Sequence, residues 1–181
     1  MHLNSSISRR DLLHMTGLGA VGLFLGKTSS WIPHRPSPSV TLSAAPDLEI
    51  ALRATQSQVA LLPGQATDVL TYEGEVLAGD PARLQTLEDS YLGPIIRMRT
   101  GERLRVHFSN HLSEETTVHW HGLHVPEAAD GHPRFAIDPG ETYVYEFEIM
   151  DRAGPYWFHP HPHMRTGPQA VSYTHLRAHE T

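Results

Sequence analysis

Apolar and polar residues alternate in three stretches of this chain: Leu48-Glu49-Ile50-Ala51-Leu52-Arg53-Ala54, Leu104-Arg105-Val106-His107-Phe108 and Tyr143-Val144-Tyr145-Glu146-Phe147-Glu148-Ile149. A period of two sends successive side chains to opposite faces of an extended backbone, so each stretch reads as a half-buried β-strand. Shorter runs add strands at residues 68–72, ending in Glu73-Gly74, and at residues 94–98. Two further strands, 116–121 and 156–161, are apolar, aromatic and histidine-bearing. Turn signals separate the runs: Pro63-Gly64, Thr100-Gly101-Glu102, Asp138-Pro139-Gly140-Glu141 and Gly154-Pro155. Residues 79–91 are polar and read as a loop with a helical turn, and residues 110–115 and 125–139 read as loops. No stretch after Asp47 carries the period of a long helix. Many short strands at this spacing predict an all-β sandwich or barrel.

The first residues have a different character. Ser8-Arg9-Arg10-Asp11-Leu12-Leu13 precedes an apolar, Gly- and Ala-rich run over residues 15–25. A basic segment followed by a short apolar one reads as a secretory signal, and the paired arginines point to the twin-arginine route. A periplasmic or secreted protein is therefore expected. The apolar run is too short to predict a permanent membrane span. Residues 31–46 are rich in Pro and Ser and read as a linker. Ser43-Ala44-Ala45 offers the small residues that cleavage requires, although Pro46 is an awkward neighbour. The expected organisation is a signal and linker over 1–45 and one domain over 46–170.

Composition narrows the chemistry. The chain has 181 residues, 39% apolar and 19% charged, enough for one domain with a sizeable core. Its formal net charge of -6 argues against a nucleic-acid partner. The 14 histidines equal Lys and Arg combined, and they concentrate between His119 and His163, which favours metal over chance. There is no cysteine, which excludes disulfides, thiolate-bound zinc, thiol catalysis and, within this chain, any copper centre that needs a thiolate.

Two short motifs carry that metal reading: His119-Trp120-His121 and His159-Pro160-His161. In an extended strand, residues i and i+2 share a face, so each motif offers two imidazoles about 7 Å apart from one side. That span suits two neighbouring metal ions better than one tight chelate. Two such strands side by side would make a four-imidazole site. Imidazole accepts copper, zinc, iron and nickel, so spacing alone leaves the metal open.

The residues around these motifs resemble the first cupredoxin domain of a multicopper oxidase, of the laccase, bilirubin-oxidase and bacterial cuprous-oxidase kind. The matching pieces are His119-Trp120-His121-Gly122, Asp130-Gly131, Ile137-Asp138-Pro139-Gly140-Glu141 and Trp157-Phe158-His159-Pro160-His161-Pro162-His163, with Ser90-Tyr91-Leu92-Gly93-Pro94 upstream. The resemblance covers roughly residues 47–170. It implies a cupredoxin-like Greek-key β-sandwich, and an enzyme that couples one-electron oxidation of a substrate to reduction of dioxygen to water. It also implies copper. By position, His119 would ligate type 2 copper, while His121, His159 and His161 would ligate the type 3 pair. Asp130 falls where the family places an acidic residue that helps deliver protons, although an ordinary loop Asp before Gly is an equal alternative.

The family completes its trinuclear cluster with four histidines from a later domain, which also carries the His-Cys-His of type 1 copper. This chain is accordingly expected to supply half of the cluster, with no type 1 site, and to be inactive by itself. Its partners would be dioxygen, an unidentified reducing substrate and the downstream cupredoxin domains. Residues 171–181 are polar where the family continues into an apolar strand, so the sandwich is expected to be incomplete at its C-terminal end and the tail non-native. The helical-spaced pair His175 and His179 is set aside with that tail. His163 is expected at the surface or behind the ligands, His124 non-ligating, His107 and His111 solvated, and His132 an ordinary loop residue. Trp120, Trp157 and Phe158 are expected to pack around the site. Two alternatives remain: a periplasmic copper-binding module without turnover, and a cupin. The cupin pattern wants a Glu where this chain has Val125, with Glu127 two residues late.

Overall fold

The computed structural model describes residues 45–172, apart from Leu62 and Asp89. The signal, most of the linker and the pair His175 and His179 lie outside the described residues. Eight strands run in chain order: β1 (Leu48–Val59), β2 (Thr67–Ala78), β3 (Leu84–Gln85), β4 (Ile95–Ile96), β5 (Arg103–Asn110), β6 (His119–His121), β7 (Thr142–Glu148) and β8 (Trp157–His159). A short helix, α1 (Thr166–Ser172), follows β8. The described chain is thus all-β apart from this helix and three 3-10 turns.

The main sheet has the order β2-β1-β5-β7. β1 and β5 are parallel, and the other neighbours are antiparallel. The predicted alternation sets its faces. Leu48, Ile50, Leu52 and Ala54 of β1, Leu104, Val106 and Phe108 of β5, and Tyr143, Tyr145 and Phe147 of β7 are all buried in one core. Burying one such side chain contributes about 1.5–3 kcal/mol.

The opposite face of the sheet is ionic. Glu49, Arg105 and Glu146 stand side by side across β1, β5 and β7. Arg105 reaches Glu146 at 3.0 Å and Glu49 at 3.5 Å, and Arg103 reaches Glu146 at 3.5 Å. His107 meets Glu49 at 2.6 Å, so this histidine has a carboxylate partner where solvation was expected.

Two strands run further than the apolar pattern suggests. β1 continues through the polar residues Thr55–Gln58, because main-chain pairing with β2 needs no apolar side chain. β2 does not end at Gly74 but passes through it. A Cβ there would lie 2.8 Å from Pro94 Cγ and 3.1 Å from Leu84 Cδ2, so the glycine is where β3 and β4 press onto the sheet.

The second layer is the antiparallel pair β6–β8, with His119 opposite His159, Trp120 opposite Phe158 and His121 opposite Trp157. Trp120 packs on Phe147 and Phe158, with centroids 5.2 and 5.3 Å away, and Phe158 packs on Tyr72 at 5.4 Å. The residues leading into β6 are held by side chains rather than by a ladder. The buried Tyr145 hydroxyl accepts from Val118 N at 2.9 Å and meets Thr117 Oγ1 at 2.9 Å. Thr116 pairs with Ile137 as an isolated bridge, so the first histidine strand is shorter than its apolar run.

Candidate metal centre

With Trp120 and Phe158 committed to the core, the period of two turns His119, His121, Trp157 and His159 to the other face. The structure brings all four predicted imidazoles together there. The His119 ring lies 5.5 Å from His121, 5.2 Å from His159 and 5.3 Å from His161, and His159 lies 6.1 Å from His161. One ring nitrogen from each of His119, His121 and His159 falls in a common cluster with separations of 4.8 Å or less. His121 Nδ1 and His159 Nε2 face each other at 3.3 Å.

Neighbouring groups fix the rings. His119 Nδ1 lies 2.8 Å from the Asp130 carbonyl oxygen, to which it donates, and 3.1 Å from the Asp130 carboxylate. His159 Nδ1 donates to Pro160 O at 2.9 Å. Both bonds hold the proton on Nδ1 and leave Nε2 free to ligate. Trp157 stacks against both His121 and His159, at 4.6 and 4.1 Å, each with an interplanar angle of 28°. The Asp130 loop is brought in by Gly131, at φ +69°. A Cβ there would sit 2.0 Å from Val118 O, so only glycine lets the loop lie against the entry to β6.

Burial holds the His159 pKa down to about 4, and the imidazoles of His119, His121 and His161 push in the same direction. His161 is lowered too, by burial first and His119 next. The His159 ring therefore stays neutral, the form a metal requires, at mildly acidic pH, and the shift at His161 favours the same form.

The remaining histidines lie outside the four-ring group, although His132 is near enough to help lower the His161 pKa. His124 donates its backbone N–H to Asp151 at 2.8 Å and sets its Nδ1 on the same carboxylate. His132 accepts from Arg134 N at 3.2 Å within a 3-10 turn, while His111 and His163 are exposed. Sequence reasoning missed the His124–Asp151 pair, whose members are 27 residues apart and share no motif.

A family model described as multicopper oxidase matches residues 68–176. The chain belongs to the multicopper oxidase family. It is 31% identical over 163 residues to copper resistance protein A of Pseudomonas syringae pv. tomato, covering 88% of this chain and 24% of that protein. It is 30% identical over 121 residues to multicopper oxidase mco of Staphylococcus aureus, covering 67% and 24%. Among solved structures it resembles the McoA multicopper oxidase of Aquifex aeolicus, with 34% identity and a TM-score of 0.60 over 74% of this chain and 27% of that one. It also resembles a Campylobacter jejuni multicopper oxidase described as a metallo-oxidase, with 30% identity and a TM-score of 0.60. This multicopper oxidase chain therefore has the cupredoxin-like β-sandwich that its sequence led us to expect, and the cupin alternative falls. It spans about a quarter of the length of these relatives. The family model runs six residues past Ala170, into the segment expected to be non-native.

Proposed function

We propose that this chain is the amino-terminal cupredoxin domain, residues 46–170, of an oxidase that couples one-electron oxidation of a reducing substrate to reduction of dioxygen to water. The observation that carries the reading is the convergence of four imidazoles from two paired strands onto one face, two of them with Nδ1 already occupied by a carbonyl. This donor set fits copper: all nitrogen, held by tautomer-fixing bonds and backed by stacked aromatic surface. His119 would hold type 2 copper, and His121, His159 and His161 would contribute to the type 3 pair. Bound copper would supply one-electron redox chemistry and a site at which dioxygen is reduced.

The chain's own residues prepare that site. Trp157 fixes two rings and keeps water from their faces. Asp130 holds the proton on His119 Nδ1 and, being 45% exposed at its side chain, exchanges protons with solvent for the reaction. The other half of the cluster and the thiolate-bound type 1 copper would come from the remainder of a longer oxidase. Without them, the 181-residue chain binds copper weakly and does not turn over. The twin arginines direct it to the periplasm or beyond. Among the described residues, no helix is long and apolar enough to cross a membrane.

The test is a copper(II) titration of the full chain, followed by electron paramagnetic resonance. Bound copper should show imidazole nitrogen coupling that disappears in the His119→Ala/His159→Ala double variant. Equal binding by the double variant and the parent would sink the reading.

A further inference from the structure

His161 is held differently from the other three imidazoles. His119, His121 and His159 sit within the β6–β8 ladder. His161 lies beyond the end of β8, between Pro160 and Pro162. Neither proline has an N–H to give to a neighbouring strand, so the ladder cannot secure this arm. It is secured further along. Pro162 O accepts from Thr166 Oγ1 at 2.8 Å and from Arg165 N at 3.3 Å, at the start of α1. Gln169, on that helix, donates its backbone N–H to Arg165 O at 3.0 Å.

The Gln169 side chain is 1% exposed and bonded at both ends of its amide. Nε2 donates to Glu114 Oε1 and to Glu115 O, both at 2.9 Å, and Oε1 accepts from Thr116 Oγ1 at 2.9 Å. These three partners are consecutive, and they lead directly into β6. Arg165 adds an ion pair with Glu114 at 2.8 Å. One buried amide therefore ties the segment before the first histidine pair to the helix after the second.

We propose that Gln169 is a positioning residue for the metal centre: by clamping α1 to residues 114–116, it sets where His161 stands relative to His119 and His121. The proposal rests on the reading of these imidazoles as copper ligands. Only a primary amide offers two donors and an acceptor in one plane of this size. An apolar residue would leave the Thr116 hydroxyl and the Glu115 carbonyl unpaired in the interior. A carboxylate would face Glu114. Because Pro160 and Pro162 leave the arm no ladder of its own, a shift at the clamp passes to the His161 ring. Loss of a group that orients a ligand typically lowers metal affinity by about 10–100-fold.

The test uses the full chain with copper(II), reading affinity by titration and the number of coupled imidazoles by pulsed electron paramagnetic resonance. His161→Ala should lose one imidazole. Gln169→Leu should give the same spectrum and the same loss of affinity, and the combined variant should lose nothing more. Thr116→Val, which removes one of the three bonds, should move in the same direction by less. Leu48→Ala, a core change at the start of β1, should lower the melting temperature and leave the spectrum alone. A Gln169→Leu spectrum like the parent's, or a loss that adds to that of His161→Ala, overturns the proposal. If Gln169→Leu does not fold, Thr116→Val decides on the same criterion, and an unchanged spectrum overturns it. If His161→Ala itself matches the parent, the ligand reading of His161 fails and takes the proposal with it. A parent-like Gln169→Leu beside an altered His161→Ala defeats the clamp alone.

Discussion

Two polar clusters sit on opposite sides of this sandwich, and they treat charge in opposite ways. On the outer face of the main sheet, Glu49, Arg105 and Glu146 alternate in sign across three strands. The His107 hydrogen bond holds the Glu49 carboxyl low, and the Glu146 bond raises the Arg105 guanidinium. On the β6–β8 face, four imidazoles are gathered; burial and the neighbouring rings oppose protonation of His159 and His161, and the Asp130 carboxylate beside His119 is only a partial counterweight. The ionic ladder belongs to the fold. The imidazole face costs the metal-free fold something at low pH, a cost that bound metal offsets.

The largest effect expected from this contrast is a pH dependence. The folded His159 pKa of about 4 lies below its ordinary 6.5, so the unfolded chain binds more protons between those values. Stability is then intact above pH 6.5 and falls as the pH drops toward 4, by up to about 3 kcal/mol at roughly 1.4 kcal/mol per unit. Denaturant titrations of metal-free chain at pH 7 and pH 4.5 measure this, and His159→Gln should flatten the difference.

Next comes the ladder. Arg105→Ala leaves Glu146 with only the longer Arg103 contact and Glu49 with only His107, and should cost about 2 kcal/mol of stability in the same titration. It should leave copper affinity unchanged; a lowered affinity would mean that the two faces are not independent. A smaller effect is expected from Asp130→Ala. The carbonyl that fixes His119 remains, so copper affinity should fall by about tenfold, or roughly 1.4 kcal/mol, with little change in stability.

The smallest effect is expected at the exposed His124. Its hydrogen bond to Asp151 raises its pKa, and burial works against the same hydrogen bond at Asp151, whose pKa is lowered overall. The raised histidine contributes fully below pH 6.5 and fades as the pH rises through its folded value. The lowered carboxylate contributes above its ordinary 3.8 and fades below its folded value. The pair is therefore strongest between about pH 4 and 6.5, the window in which His159 weakens the fold. His124→Ala should make the acid loss slightly steeper, measured as melting temperature against pH.

How much was legible in the sequence follows the range of the interactions. The alternation at residues 48–54, 104–108 and 143–149 specified inward faces that the structure reproduces, because a strand's period is local. The two His-x-His motifs announced the imidazole face for the same reason. The extension of β1 to Val59 was not legible, because pairing with β2 is a main-chain matter that polar residues allow. Gly74 looked like an end because its real reason, room for Pro94 and Leu84, lies elsewhere in the chain. The supports of β6 were equally hidden. Tyr145 reads as an ordinary core aromatic and nothing in the sequence marks Gln169, until the fold sets them against residues 114–118.

The pairing of Trp120 with Phe158 has a consequence for how errors are caught. Shift β6 by a single residue and the Trp120 ring would leave Phe158 and point to solvent while an imidazole entered an oily interior, which is costly on both counts. A chain that has found its core has therefore already aimed its histidines, before any metal arrives. Water, in effect, proofreads the site: a misaligned strand pair is rejected as a poorly buried one, and an insertion or deletion within β6 or β8 should be among the changes the domain tolerates least.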